Sequence, residues 1–439
     1  MRALYLPWDL AIRERDRLLD DLQAWTRIDT VMLLDLYFDT VNKGRHRVAY
    51  VDSRVAVPPG TKFGVPVSVM SEKQFATLVE FMTAAKSRGF KVAAIAAPLF
   101  ICGGRESMAC VDVSGRRLHV REKTLFYGCP NNEMVVDYGR TFIRSLIDSW
   151  PDLDYLSLDH LEYPSNLFVS YPKADLRDLL VCFCESCERK AAEEGFEIGR
   201  ARQDVDSLLR AISSPRQGGR TAREPVGPAD LLNFLVKLPH LTEWLNFRMK
   251  SMTDYAKKMA EVSRGAAAAK GSGLQVGFYF QLPSISNLVG TDYESLCQMF
   301  DYACAKFPDY IPGTILPMIA DEIAKGTRAY DRATLLSSMR GLLDLGPGPK
   351  RYKSLGGLKD VLLYSNAADP SMVDMQMKRL SGVVSKTNLF PHFWEHNGDV
   401  KSLRVKMEAA RKYHLKGYSV WAFDDGLSRE NLRAASGVI

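Results

Sequence analysis

Short, almost wholly apolar runs recur along the chain, and most are followed by stretches whose apolar residues fall three or four positions apart. The runs predict strands at Arg2–Leu6, Thr30–Leu36, Lys91–Ala97, Leu153–Leu158, Gln275–Gln281, Asp309–Met318, Asp360–Tyr364, Thr387–Trp394 and Tyr418–Phe423. The stretches between them predict helices. Leu18, Leu19 and Leu22 line one face of a helix over Ile12–Trp25. A helix opens at Ser71 with Gln74 three residues on, a capping box, and buries Phe75, Leu78, Val79, Met82 and Ala85 before Gly89 stops it. Val135, Tyr138, Phe142 and Leu146 mark another stripe, and Leu241, Trp244, Leu245, Met252, Tyr255 and Met259 a long one ending near Val262. Tyr293, Leu296, Cys297, Phe300 and Cys304 read as one helical face, and Val400–His414 as the last helix, ended by Gly417.

Alternation of strand and helix predicts a parallel sheet, either open and doubly wound or closed into a barrel. Pro7-Trp8-Asp9 after the first strand is not the glycine fingerprint of a dinucleotide-binding sheet. Acids and amides stand at the ends of strands far apart in sequence: Asp35, Asp159 with Glu162, Gln281, Glu395 and Asp424. Only a closed barrel gathers those ends around one cavity. The expectation is a single (β/α)8 TIM barrel over residues 1–439, with one strand candidate outside it. An excursion over about 164–239 follows the fourth strand, and it includes a breaker-rich loop from Ser213 to Pro228.

Composition changes this picture little. The chain has 439 residues, 46% hydrophobic and 25% charged, a soluble globular balance. The net charge of +6 is spread among mixed signs, so no nucleic-acid partner is expected. No run approaches the ~18 apolar residues of a membrane span, and the apolar start is too short for a signal peptide. The expected setting is cytoplasmic, where eight cysteines stay reduced and a dense group of them means metal. Homo-oligomerisation is left open.

Two stretches carry the candidate chemistry. The fourth strand runs into Asp159-His160-Leu161-Glu162-Tyr163-Pro164. Glycoside hydrolysis needs one carboxyl to protonate the leaving oxygen and a second as nucleophile or base. Glu162 and Glu395 follow strands three or four apart in a barrel and so face each other across its mouth. Asp159 competes with Glu162, and Asp424 and Asp425 compete with Glu395. Trp8, Tyr163, Tyr279, Trp394 and Trp421 offer apolar faces to sugar rings, and His160 and His392 offer hydrogen bonds to hydroxyls. Further on, Cys182, Cys184 and Cys187 form C-x-C-x-x-C, with Cys129 as a fourth thiolate. Four thiolates close a tetrahedral structural zinc site with no open position for chemistry. Cys297 and Cys304 read as helix core. No organic cofactor is expected.

Cys129-Pro130-Asn131, a helix, a strand followed by Glu162, the C-x-C-x-x-C group and the long helix near Leu241 resemble the family-42 β-galactosidases of glycoside hydrolase clan A. The likeness spans roughly Phe126 to Tyr279, and the cysteine pattern is its specific part. It implies a structural zinc on the four cysteines, Glu162 as acid/base, Glu395 as nucleophile and Trp421 beneath the sugar. Leu161 stands where the clan has Asn. The Asp159-x-x-Glu162-Tyr163-Pro164 ending is similar to uncharacterised putative glycoside hydrolase barrels. The expectation is a retaining glycoside hydrolase acting on a small carbohydrate. One alternative uses Asp159 as nucleophile with an acid from a late strand. The other is a non-catalytic carbohydrate-binding or scaffold barrel.

Overall fold

The computed structural model describes residues 1–6, 11, 13–34, 72–102, 106–120, 125–150, 153–164, 176–213, 233, 236–307, 316, 320–321, 324, 332–343, 345, 370–383, 388–394 and 400–421. Eight parallel strands close into a barrel: β1 Arg2–Leu6, β2 Thr30–Leu34, β3 Lys91–Ala96, β4 Tyr155–Leu158, β5 Gln275–Phe280, β6 Tyr302–Phe307, β7 Asn388–Trp394 and β8 Tyr418–Trp421. Each pairs with its sequence neighbour, and β8 returns to β1 through Arg2↔Tyr418, Ala3↔Ser419 and Leu4↔Val420. The strands are covered on both faces, which is why they read as unbroken apolar runs. Helices α1 Arg15–Trp25, α2 Glu72–Ser87, α3 Glu133–Ser149, α4 Glu185–Glu193, α5 Ile198–Ser213, α6 Pro239–Ala269, α7 Tyr293–Met299, α8 Arg332–Leu342, α9 Pro370–Val383 and α10 Val400–Lys412 lie between them. None is long and apolar enough to cross a membrane among the described residues.

The N-terminal end of the barrel is stitched by one device used three times. Asp29 precedes β2 and accepts the backbone N–H of Arg2 at 2.8 Å. Asp154 precedes β4 and accepts that of Val92 at 2.8 Å. Asp301 precedes β6 and accepts that of Val276 at 2.7 Å. Each carboxylate thus satisfies the first orphan donor of the odd-numbered strand beside it. Before β8 the position is Gly417, where a Cβ would stand 1.9 Å from the carbonyl oxygen of Met1.

Inside, the layers fill with side chains as barrels require. The Tyr302 hydroxyl lies 2.7 Å from Ser157 Oγ, and its ring takes the space a Cβ on Gly277 would need. Tyr279 meets Tyr5 edge-on at 6.1 Å, with its hydroxyl 3.3 Å from Met32 Sδ.

The segment after β3, which reads as loop in sequence, holds a small antiparallel sheet of Phe100–Cys102, His119–Val120 and Leu125–Tyr127. Helix α6 starts on Pro239, suited to a first-turn position because its missing N–H would be unpaired there anyway. It packs against α3, where Gly139 admits the Tyr255 hydroxyl and Met259.

The sixth strand corrects the sequence reading. It is Tyr302–Phe307, not Asp309–Met318, and Cys304 lies in it, not on a helix. Helix α7 ends at Met299, and Phe300 and Cys304 only imitate its period. The barrel closes without a strand at Asp360–Tyr364, which lies outside the described residues, as do the Asn42–Pro66 stretch, Ser71, and the loop beyond Ser213.

Candidate active site and cysteine centre

The chain leaves β4 still in register, with Asp159 N–H donating to Ala96 O at 2.7 Å. His160 then adopts φ +56°, a left-handed conformation that non-glycine residues rarely hold and that gathers at functional sites. Several contacts strap the turn. The Tyr127 hydroxyl donates to the carbonyl oxygen of Glu162. Thr291 Oγ1 donates to Leu161 O at 2.8 Å, Tyr163 N–H donates to Val289 O at 2.7 Å, and the His160 ring lies 4.3 Å from that of Phe100.

This turn brings both β4 carboxylates to one buried cation. Lys306 Nζ, from β6, lies 2.5 Å from Asp159 Oδ1 and 3.8 Å from Glu162 Oε1. His160 stands between the acids, Nε2 3.7 Å from Asp159 Oδ2 and Nδ1 3.6 Å from Glu162 Oε1. Gln281, just past β5, donates through Nε2 to Glu162 Oε1 at 2.6 Å; an ionised carboxylate only accepts, which fixes the amide's orientation. All these side chains are buried. Burial alone would raise the Asp159 pKa, but His160 and Lys306 overcome it and hold it at about 2. Burial likewise opposes ionisation of Glu162, and Lys306, with His160, brings it below the usual glutamate value. Burial lowers Lys306, and the two acids more than restore it, so it stays charged. Both carboxylates are anions in this state.

His392, on β7, has Nδ1 2.8 Å from Ser419 Oγ and its ring against Tyr5 at 4.7 Å and Tyr279 at 5.2 Å. Burial drops its pKa to about 3, so it is neutral at physiological pH. Of the residues singled out in sequence, Asp159, His160, Glu162 and Gln281 meet directly. His392 and Tyr279 pack together within the barrel. Trp394 and Trp421 pair in register across β7 and β8, though their side chains lie outside the described set. Trp8, Asp35, Glu395, Asp424 and Asp425 also lie outside the described residues.

Sequence reading missed Lys306. Asp301-Tyr302 repeats Asp154-Tyr155 at the start of β4, and that pattern would have located β6 and its inward lysine.

The second cluster hangs from the same excursion. Sγ atoms of Cys129, Cys182, Cys184 and Cys187 all lie within 4.8 Å of one another, and all four residues are buried. Cys129 Sγ is 3.4 Å from both Cys187 Sγ and Cys184 Sγ. Thiolates about 2.3 Å from a tetrahedral zinc stand about 3.8 Å apart, so small shifts fit these four to one ion. Two N–H groups already point at sulfur: Val111 N–H to Cys182 Sγ at 3.4 Å and Asn131 Nδ2 to Cys187 Sγ at 3.3 Å. Asn131 Nδ2 also reaches Ser251 Oγ on α6 at 3.0 Å. One turn earlier on α6 lies Arg248, buried, its guanidinium 4.3 Å from the centre of the Tyr163 ring and 4.5 Å from that of Trp244. Burial lowers its pKa to about 10, while Tyr163 and the sulfurs of Cys110, Cys182 and Cys187 pull the other way.

No model of a known protein family matches the chain, and no curated protein matches it. Among solved structures, it is similar to the glycoside hydrolase domain of PgaB (BpsB) from Bordetella bronchiseptica. The TM-score is 0.51 at 11% identity, over 99% of this chain and 98% of that one. It is also similar to the β-galactosidase of the psychrophilic Marinomonas ef1, with a TM-score of 0.52 at 10% identity. That match covers 100% of this chain and spans 59% of the galactosidase. At such identities the likeness establishes the barrel, and residue roles must come from the site itself.

Proposed function

We propose that this barrel is a retaining glycoside hydrolase whose reaction centre is the β4 carboxylate pair. The observation that carries this reading is Glu162, fully buried where β4 ends, with Gln281, His160 and Lys306 all directed at one of its oxygens. The barrel shared with structures described as a glycoside hydrolase domain and a β-galactosidase agrees with it. In the first step Glu162, an anion in the free site, must first take up a proton from solvent; Glu395, following β7, then attacks the anomeric carbon as the glycosidic bond breaks, and Glu162 gives that proton to the departing oxygen. In the second, Glu162 takes a proton from water, which attacks the glycosyl-enzyme and releases the sugar. Lys306 holds Glu162 in the anionic form that the second step requires. It leans towards Asp159, 2.5 Å against 3.8 Å, and so keeps the cost of protonating Glu162 moderate.

One observation favours a second assignment. Asp159 is the more firmly ionised acid, and Lys306 Nζ and the His160 N–H both engage its Oδ1. Such a carboxylate suits a nucleophile, with the acid then coming from Glu395, Asp424 or Asp425. Replacing Glu162, Glu395 and Asp159 by their amides separates the two. With an activated aryl glycoside and azide, E162Q gives a glycosyl azide of retained configuration under the first assignment, and E395Q and not D159N loses the trapped glycosyl-enzyme. Under the second, D159N loses it. Wild-type-like turnover in all three variants would remove both assignments, and no turnover of any glycoside by wild type would remove the hydrolase reading.

The cysteine centre takes a closed structural zinc ion in this proposal. It orders the chain around the site and supplies no open coordination position for substrate. Buried thiols kept available for metal suit a reducing, cytoplasmic setting.

A further inference from the structure

Arg248 is an unusual cation. It is buried on α6, and among the described residues no carboxylate pairs with it. Among the described residues its five N–H donors meet two backbone carbonyls, Leu179 O at 3.2 Å and Leu288 O at 3.5 Å, and Nε meets no acceptor. A buried charge without a counter-charge is strongly unfavourable. What lies around it is the Tyr163 ring, the Trp244 ring and, through Leu179 O three residues before Cys182, the chain that carries the cysteines. Asn131, which touches Cys187 Sγ, also touches Ser251, one helical turn along from Arg248. A divalent ion held by four thiolates carries two net negative charges, whereas four thiols carry none.

We propose that Arg248 is the counter-ion of a metal-loaded, dianionic tetrathiolate at Cys129, Cys182, Cys184 and Cys187, so that its burial is favourable only when the metal is bound. It is a positioning residue for the metal centre, acting through charge across a low-dielectric gap and ligating nothing. The inference stands apart from the hydrolase reading, because it concerns metal affinity and stability alone.

Reciprocity of linked equilibria gives the test a sign that packing would not have. The full chain is loaded with zinc, and its affinity is measured by competition with a chromophoric chelator. Thermal unfolding is then followed with zinc and after chelation under reductant. R248M, which keeps the bulk and removes the charge, is expected to bind zinc about 10–100-fold more weakly, the usual range for outer-sphere partners. Its metal-free form is expected to melt above metal-free wild type, because an unbalanced buried charge has gone. R248K keeps the charge without the planar stack and is expected to hold zinc closer to wild type than R248M does. Equal melting losses for R248M with and without zinc, unchanged zinc affinity, equal affinity losses in R248K and R248M, or no zinc bound by wild type would each overturn the proposal.

Discussion

The chain after β4 passes through two buried polar clusters that solve the same electrostatic problem differently. At the barrel mouth, Asp159 and Glu162 are balanced from within by Lys306, a strand residue whose position the barrel fixes. At the cysteine centre, among the described residues, no acid pairs with the buried Arg248, and the four cysteines are grouped so that they could hold an ion. The first cluster therefore carries its counter-charge within the folded chain, at a position set by the barrel. On the proposed reading the second takes its charge from a bound metal, so that charge is a variable. They touch through the strap around Glu162. Tyr127, two residues before Cys129, holds the Glu162 carbonyl, and Tyr163, next to Glu162, lies against Arg248. The variable cluster thus supports the fixed one.

Breaking the mouth cluster should have the largest effect. E162Q is expected to lower turnover of a glycoside with a poor leaving group by about 10³-fold, within the range for loss of a general acid/base. Its circular dichroism and unfolding temperature should stay close to wild type, because Gln281 can still pair with the amide.

K306M comes next, since it removes the balancing cation. Losing the one lysine charge set against two buried acids should cost about 3–5 kcal/mol at neutral pH. The pH dependence should also flatten. In wild type Asp159 is depressed from 3.8 to about 2. That contributes roughly 2 kcal/mol, fully present above pH ~4 and lost as pH falls through about 2. In K306M burial is opposed by His160 without the lysine, so both acids titrate higher than in wild type and the stability gained on raising pH through the acid range shrinks. Unfolding temperature against pH for the two proteins reads this directly.

The second cluster breaks more gently. Chelation of the metal, or C184S, is expected to lower the unfolding temperature by about 5–10 °C and to reduce turnover by loosening the Glu162 strap. Metal content measured alongside links the two losses.

The smallest effect should come from Q281L. It removes one donor to Glu162 Oε1 and is expected to reduce turnover about tenfold while moving the alkaline limb of the pH profile, set by ionisation of Glu162, to higher pH.

The two clusters also differ in how far they could be read from sequence. Cys182, Cys184 and Cys187 are close together in the chain and rare in composition, so their grouping was visible, and Cys129 joins them in space. The barrel was equally legible, because strands covered on both faces leave apolar runs at β1 to β5, β7 and β8. Its sixth strand was not. Tyr302–Phe307 carries a lysine, which reads as exposed, and Cys304 extends the period of the helix before it. Lys306 is inward because β6 closes against β5 and β7, a fact of tertiary pairing that no local pattern states. Arg248 was hidden for the same reason: on the helical pattern it is one more charge on a long amphipathic helix, and only the fold lays it between the Tyr163 and Trp244 rings.

The most direct test of the central claim is hydrolysis by wild type and E162Q side by side, across activated aryl glycosides and natural oligosaccharides of both anomeric configurations. The account predicts turnover of at least one glycoside by wild type and its loss in a folded E162Q. Hydrolysis unaffected by the substitution, or no hydrolysis of any glycoside by the zinc-loaded protein, would contradict it.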